Sequence, residues 1–375
     1  MKIIVINALS ALRGGGQTYI KNILENLPES DYKILLIVNT DNEDLFVKYA
    51  SEKIFLFVAK WASKNIFYRS LWEILFLPNF LINKKANIYF APGGIMITKI
   101  PPNITSATAL RNMLPFDARE RKRFPFFSYI RFKLWLARYI FLWSYKLSDK
   151  VIFISEQSKS VVQKYISNID IKSVVITHGL NNLFLHTELA NKQTKYTIDE
   201  PFYLYVSILD VYKAQKELIK TWNLLIKKDF PYPLILAGPK YNQYGEEVIK
   251  LIDELGLSKK VIYLGPIAYE ELPALYKSAR ALIFASSCEC CPNILLEKLA
   301  AGKTTFCSNI QPMPEFGGDA VVYFDPYNPT DLVEKILETE KNPQLMAELS
   351  SKAYQQALKF DWKKTTQDTI NFLLN

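Results

Sequence analysis

Two glutamates, Glu289 and Glu297, stand in the segment Ser286–Gly302, SSCECCPNILLEKLAAG. The apolar run Ala281–Ala285 before it predicts a strand, and a short loop then carries Glu289. A helix is expected from Pro292, because proline at the first helical position gives up an N–H that would be unpaired there anyway. The N–H groups of Asn293 and Ile294 would then point out of the helix start, with the positive end of its dipole behind them. That arrangement suits a diphosphate. Glu297 lies inside the helix and leans back towards its N-terminus, where it can accept from vicinal ribose hydroxyls while Glu289 reaches a sugar. A loop glutamate and a solvated helix glutamate would show the same spacing, so spacing alone leaves both readings open.

The elements that must position these residues follow from the pattern of the whole chain. Its 375 residues, about half of them apolar, predict two ordered α/β domains. In the first half, strands are expected at Lys2–Asn7, Lys33–Val38, Ile54–Val58, Ile88–Phe90, Lys150–Ser155 and Ser173–Thr177. The second half offers Phe202–Ser207, Pro233–Gly238, Val261–Gly265, Ala281–Ala285, Lys303–Cys307 and Val321–Phe324. Helical patterns at Lys213–Lys227, Glu246–Glu254, Tyr269–Ser278 and Pro292–Ala301 separate the later strands. Alternation of this kind predicts two doubly wound, Rossmann-like domains, with ligands at a cleft outside the strand C-termini. The expected division is residues 1–190 and 200–357, with a polar hinge at Thr187–Glu200 between them. A last helix, 360–375, would return to the first domain.

Composition excludes several classes. No stretch approaches the ~18 uncharged apolar residues of a spanning helix. The N-terminal run contains Asn7 and Ser10 and leads into Arg13 and three glycines, which reads as a strand and turn rather than a signal peptide. The cysteines Cys288, Cys290, Cys291 and Cys307 do not form a secreted disulfide framework, and a reduced compartment fits them better. Zinc would need a fourth ligand at workable spacing, and neither a second CxxC nor a His pair provides it. The Gly14-Gly15-Gly16 run lacks the later glycine of the dinucleotide fingerprint. It is either a plain tight turn or a place where backbone approaches a ligand.

The Glu289–Glu297 spacing, the Leu-Ala-Ala-Gly helix end and the following KTTFCSNIQPMPEFGGDAVVYFDPYNP together resemble the signature of glycosyltransferase family 4. The resemblance implies a GT-B fold and a retaining, metal-independent transfer from a nucleotide-activated sugar, UDP- or GDP-linked, with no further cofactor. It gives Glu289 contact with the transferred sugar and Glu297 contact with the ribose. Lys213 resembles the lysine that neutralises the donor phosphates. The family usually has Gly-Arg ahead of that lysine, and Ser207-Ile208 stands there instead. Pro266 and Ile267, after Gly265, match the turn whose backbone reads the nucleobase. Gly15 and Gly16 match the loop that approaches donor or acceptor. His178-Gly179 resembles a donor-side turn, and Arg111-Asn112 occupies the place of a frequent His-Asp pair. Rivals with the same architecture are a sugar-nucleotide 2-epimerase and a phosphorylase; a non-catalytic, membrane-attached pseudo-transferase is a rival of another class.

Charge is unevenly placed. The chain carries a net +9. Ten Lys or Arg against Asp117, Glu120 and Asp149 give the segment Arg111–Lys150 a local balance of +7. From Arg119 the text RERKRFPFFSYIRFKLWLARYIFLWSYKLSDK interleaves cations with aromatics, as in helices at a lipid interface. No nucleic-acid motif accompanies it. Phe127, Ile130, Leu134, Ala137 and Phe141 are spaced as a core stripe, while Arg119, Arg121, Lys122 and Arg123 are expected to face an anionic membrane surface. The segment therefore reads as that of a peripheral protein on the inner face of the cytoplasmic membrane, and the resemblance implies a glycan or lipid-linked glycan acceptor in cell-surface polysaccharide or lipopolysaccharide synthesis.

Overall fold

The computed structural model describes residues 1–12, 14–185, 196, 198 and 200–375. His186 and most of the expected hinge lie outside the described residues. Two compact units are present, Met1–Gly179 with Trp362–Asn375, and Leu180–Asp361.

In the first unit the elements run β1 (Lys2–Asn7), α1 (Gly15–Glu25), β2 (Tyr32–Val38), α2 (Glu43–Val47), β3 (Ile54–Val58), α3 (Ile66–Leu75), α4 (Leu77–Asn83), β4 (Ile88–Ala91) and β5 (Thr105–Leu110). They continue with α5 (Ala118–Arg123), α6 (Tyr129–Leu147), β6 (Lys150–Phe153), α7 (Glu156–Gln163) and β7 (Ser173–Val175). The strands form a parallel sheet ordered β3-β2-β1-β4-β5-β6-β7. Alternate residues of a strand face opposite sides, so Ile4, Ile6, Ile34 and Leu36 enter one core cluster while Val5, Leu35 and Ile37 enter the other. Both faces are covered, which is why these strands read as continuous apolar runs.

The second unit runs β8 (Tyr203–Val206), α8 (Gln215–Ile226), β9 (Leu234–Ala237), α9 (Gln243–Glu254), β10 (Val261–Tyr263), α10 (Leu272–Ser278), β11 (Ala281–Phe284) and α11 (Asn293–Ala300). It closes with β12 (Thr305–Ser308), α12 (Met313–Gly317), β13 (Val322–Phe324), α13 (Pro329–Glu340) and α14 (Pro343–Ala357). Its parallel sheet is ordered β10-β9-β8-β11-β12-β13.

The final helix, α15 (Trp362–Leu374), belongs to the first unit: Trp362, Ile370 and Leu373 join its core, and Lys2 and Lys150 donate to the carbonyls of Leu374 and Phe372. Two expectations need correction. The first domain ends at Gly179 rather than near residue 190, because Leu180 donates to the Phe360 carbonyl and both Leu180 and Phe184 are buried in the second core. The strand β5, TSATAL, has no counterpart among the sequence expectations.

Candidate functional site

Each sheet reverses its strand order once, and in the second unit this happens between β8 and β11. Loops after two such strands leave in opposite directions and open a crevice at their carboxyl ends. The loop after β8 runs from Ser207 to Ala214 and the loop after β11 from Ala285 to Pro292, so topology brings Lys213 and Glu289 to one place.

Backbone and side-chain bonds fix both loops. Asp210 Oδ1 accepts from the Val211 N–H at 2.7 Å and starts a single 3₁₀ turn, Val211–Lys213. Ala214 then takes a left-handed φ of 56°, unusual for a residue with a Cβ, and α8 begins. The Tyr212 carbonyl accepts from both the N–H and the hydroxyl of Ser287, at 2.8 and 3.1 Å, tying the two loops together. Tyr205 donates its hydroxyl to the Lys213 carbonyl at 2.8 Å. The result is an ion pair between the Lys213 ammonium and Glu289 Oε1, with both side chains largely buried. Ser207 is buried, and its hydroxyl accepts from Gln215 Nε2 at 2.9 Å. It orders the loop instead of presenting its hydroxyl outward. Gly238 must be glycine: with φ at 136°, a Cβ would fall 1.9 Å from the Ser207 carbonyl oxygen.

Helix α11 starts one residue later than expected. Pro292 is the cap, and its carbonyl accepts from Leu295 and Leu296. The Asn293 N–H is given to the Cys291 carbonyl at 3.0 Å, because the turn closes on itself there. Of the two donors expected at the helix start, Ile294 is therefore the better placed to meet an anion.

Glu297 is buried and accepts a 2.8 Å bond from the Tyr269 hydroxyl. Burial pushes its carboxyl up to about 7, with the Tyr269 bond and the neighbouring Lys298 charge pulling the other way. Lys298 is fully buried; its ammonium donates to the Val206 carbonyl at 3.1 Å and lies 5.2–5.6 Å from the Tyr205, Tyr276 and Phe284 ring centres. Burial pushes this lysine down to about 7. Tyr269, Lys298 and Gln215 are site residues that sequence reading missed. A helical Glu-Lys pair normally means a solvated face, and only the cover on both sides of α11 makes this one buried. Pro266 and Ile267 follow Gly265, whose carbonyl accepts from the Gly238 N–H and whose φ is 76°.

Cys288, Cys290 and Cys307 are buried and in no disulfide, and Cys291 is half-buried with its Sγ 3.4 Å from Asn293 Oδ1. Among the described residues no three His, Cys, Asp or Glu side chains are grouped as a metal site.

In the first unit several candidates have other work. His178 is buried with its ring 5.2 Å from those of both Tyr19 and Trp362. The imidazole is thus packed within the ring stacks that seat α15. Arg111 lies over the Tyr19 ring at 4.4 Å and donates to the Gly15 carbonyl. Gly14, with φ at 53°, makes the turn; a Cβ on Gly16 would press to 3.3 Å on Ala11, so the close approach at Gly16 is to the chain's own backbone. Asn112 is exposed and accepts from the Leu114 N–H. At the end of β1, by contrast, a buried polar group was not anticipated: Asn7 donates to Glu73 at 3.1 Å and to Tyr89 at 2.8 Å, and Arg69 pairs with Glu73 at 2.9 Å.

The basic aromatic segment folds as α5 and α6, capped by Asp117 and Ser128. Leu134 and Phe141 are buried as the stripe requires, but Phe127 is 96% exposed and Ile130 is exposed too. The stripe fails there because Phe127 lies in the link between the helices, and α6 instead buries Ser144 and Tyr145. Among the described residues no helix is long and apolar enough to cross a membrane.

Residues 187–356 match the family model described as Glycosyl transferases group 1. The chain is 31% identical over 170 residues to O-antigen chain mannosyltransferase B of Escherichia coli, which covers 45% of this chain and 44% of that protein. It is 25% identical over 236 residues to the serotype-specific mannosyltransferase WbdA of the same organism, covering 60% of this chain and 29% of WbdA. The chain thus spans less than half the length of these two curated relatives. Among solved structures, a glycosyltransferase from Rickettsia africae aligns over 99% of this chain and 97% of its own, with a TM-score of 0.74 at 17% identity. HepE of Anabaena, in complex with UDP, aligns over 100% and 99% with a TM-score of 0.72 at 17% identity. The fold is of the GT-B type, two parallel-sheet Rossmann-like units.

Proposed function

We propose that this chain is a retaining glycosyltransferase of family 4 type, moving a sugar from a UDP- or GDP-linked donor to a glycan acceptor in polysaccharide or lipopolysaccharide synthesis. The observation that carries it is the Lys213–Glu289 pair at the strand-order reversal of the second unit, with buried Glu297 on the adjoining helix. In this reading the ribose hydroxyls take Glu297 as acceptor and the sugar meets Glu289. Lys213 has three N–H donors, so it can keep Glu289 and still donate to a diphosphate. Charge developing on the leaving diphosphate is met by that ammonium and by the helix start at Ile294. The protein positions the reactants, the leaving phosphate takes the acceptor hydroxyl proton, and no metal is required. Relatives named mannosyltransferases make a mannosyl donor the first to try.

A thermal-shift panel of UDP-, GDP- and ADP-sugars tests donor binding, since a ligand at a hundred times its Kd stabilises by about 2.7 kcal/mol. Nucleoside diphosphate should then appear only when a glycan acceptor is present. Release without acceptor and with an epimerised sugar would mean a 2-epimerase. Dependence on inorganic phosphate would mean a phosphorylase, and binding without turnover a pseudo-transferase.

For location, the reading is a peripheral protein on the inner face of the cytoplasmic membrane, with a lipid-linked acceptor. Arg123 pairs with the buried Glu120 at 3.5 Å, so a fair test spares it. Replacing Arg119, Arg121 and Lys122 with serine should release the protein from anionic liposomes, each cation contributing about 1 kcal/mol near the surface. High salt should mimic the change by screening. Wild-type protein that stays in the supernatant at low salt would end the membrane reading.

A further inference from the structure

We propose that the α5–α6 hairpin holds a discrete site for one anionic lipid molecule, its phosphate on Arg121, Lys122 and Arg131 and its chains on an aromatic wall. The proposal rests on the membrane part of the reading above and not on sugar transfer. A groove of about 530 Å³ lies between the two helices, within the size range of pockets that enclose small molecules. Its lining includes Phe126, Phe127, Phe132 and Trp135, all exposed. The wall is pre-arranged: Phe132 stacks on Trp135 at 6.0 Å, and Trp135 meets Tyr139 edge-on at 4.8 Å.

The same lining carries the cations Arg121, Lys122 and Arg131. The Arg131 guanidinium lies over the Phe126 ring at 4.8 Å and reaches the Phe124 carbonyl at 3.5 Å. Arg121 donates to the Asp117 carbonyl at 3.3 Å. The carboxylates of this region are otherwise engaged, Asp117 Oδ1 capping α5 at Glu120 and Glu120 pairing with Arg123. Arg121 is held below its usual value first by burial and next by the like charge of Arg138. Arg131 adds to the shift, while Tyr165 and Asp117 oppose it. Crowded like charges gain when an anion arrives. Inorganic phosphate would leave the aromatic wall in water, so the groove fits a phosphate that carries apolar chains. Stacking rings beside cations also suit single-stranded RNA, but Phe127 at the hairpin tip, 96% exposed, is placed to enter an acyl layer.

The full chain should be titrated calorimetrically with dioctanoyl phosphatidylglycerol below its micelle threshold. Dioctanoyl phosphatidylcholine, inorganic phosphate and a short single-stranded RNA serve as parallel probes. One saturable site for phosphatidylglycerol is expected, with a 1:1 adduct in native mass spectrometry. Arg121→Gln with Arg131→Gln should weaken it about thirtyfold, at about fivefold per cation. Phe132→Ser with Trp135→Ser should weaken it comparably with the cations intact, and both variants should keep their circular dichroism and nucleotide binding. Unsaturable uptake, phosphatidylcholine binding as tightly, displacement by equimolar phosphate, or tighter RNA binding would each overturn the site. Lipid binding without any nucleotide binding would instead sink the donor reading and leave this site standing.

Discussion

Replacing Lys213 with methionine should lower sugar transfer by about 10²–10³-fold, the usual cost of removing a preorganised group that meets developing charge. The same change should destabilise the second unit by about 3 kcal/mol, because Glu289 is left in a largely buried place without its partner. Glu289→Gln in the same chain separates the two effects. With both charges gone the loops after β8 and β11 hold a neutral pair of similar volume, and most of the lost stability should return. Turnover should not return, since neither phosphate nor sugar regains its contact. Urea melts and nucleoside diphosphate release, measured on the two single variants and the double, give the cycle. Recovery of turnover in the double variant would reduce the pair to a structural role.

Glu297→Gln should move binding and stability in opposite directions. The wild-type carboxyl holds its proton until pH rises to about 7, whereas in the unfolded chain it ionises near the ordinary value of 4.5. Between those values the folded state binds more protons than the unfolded one, so this group removes stability as pH rises from about 4.5 to 7. Glutamine abolishes that slope and should stabilise the protein at pH 8 by on the order of 1–2 kcal/mol. Lys298, lowered to about 7 by burial, acts with the opposite sign above that pH. Its stability cost fades as pH rises towards 10.5. The groups facing Glu297 are Tyr269, Tyr276 and Lys298, and neither tyrosine loses its proton in this range.

Binding of the nucleoside should follow the ionised carboxylate. Wild-type affinity should drop up to tenfold per unit below about pH 7, while the glutamine variant should be flat and about ten- to a hundredfold weaker at pH 8. A nucleoside is the right probe because it has no phosphate to titrate in that window. Calorimetry from pH 5.5 to 8 and thermal melts across the same range would decide it. A glutamine variant that binds as tightly as wild type would remove the ribose assignment.

Both fold and site divide into what neighbouring residues specify and what the closed sheets impose. Strand and helix alternation is local: runs such as KIIVIN and YKILLIV are apolar throughout because their two faces are both covered, and that is visible in the text alone. Thr105–Leu110 escaped notice because TSATAL is small and half polar, and its neighbours β4 and β6 make it a strand. The Glu289–Glu297 spacing and Lys213 could be read from the sequence; their meeting could not. Lys213 and Glu289 are 76 positions apart, and they pair because parallel strands β8 and β11 become neighbours only when the crossover helices pack. The same closure buries Lys298 beneath three rings, locks His178 between Tyr19 and Trp362, and leaves Phe127 outside at a hairpin tip. Sequence fixes which side chains are present and the local periods they follow. Burial and cross-chain pairing, which set charge and reactivity here, are properties of the assembled layers.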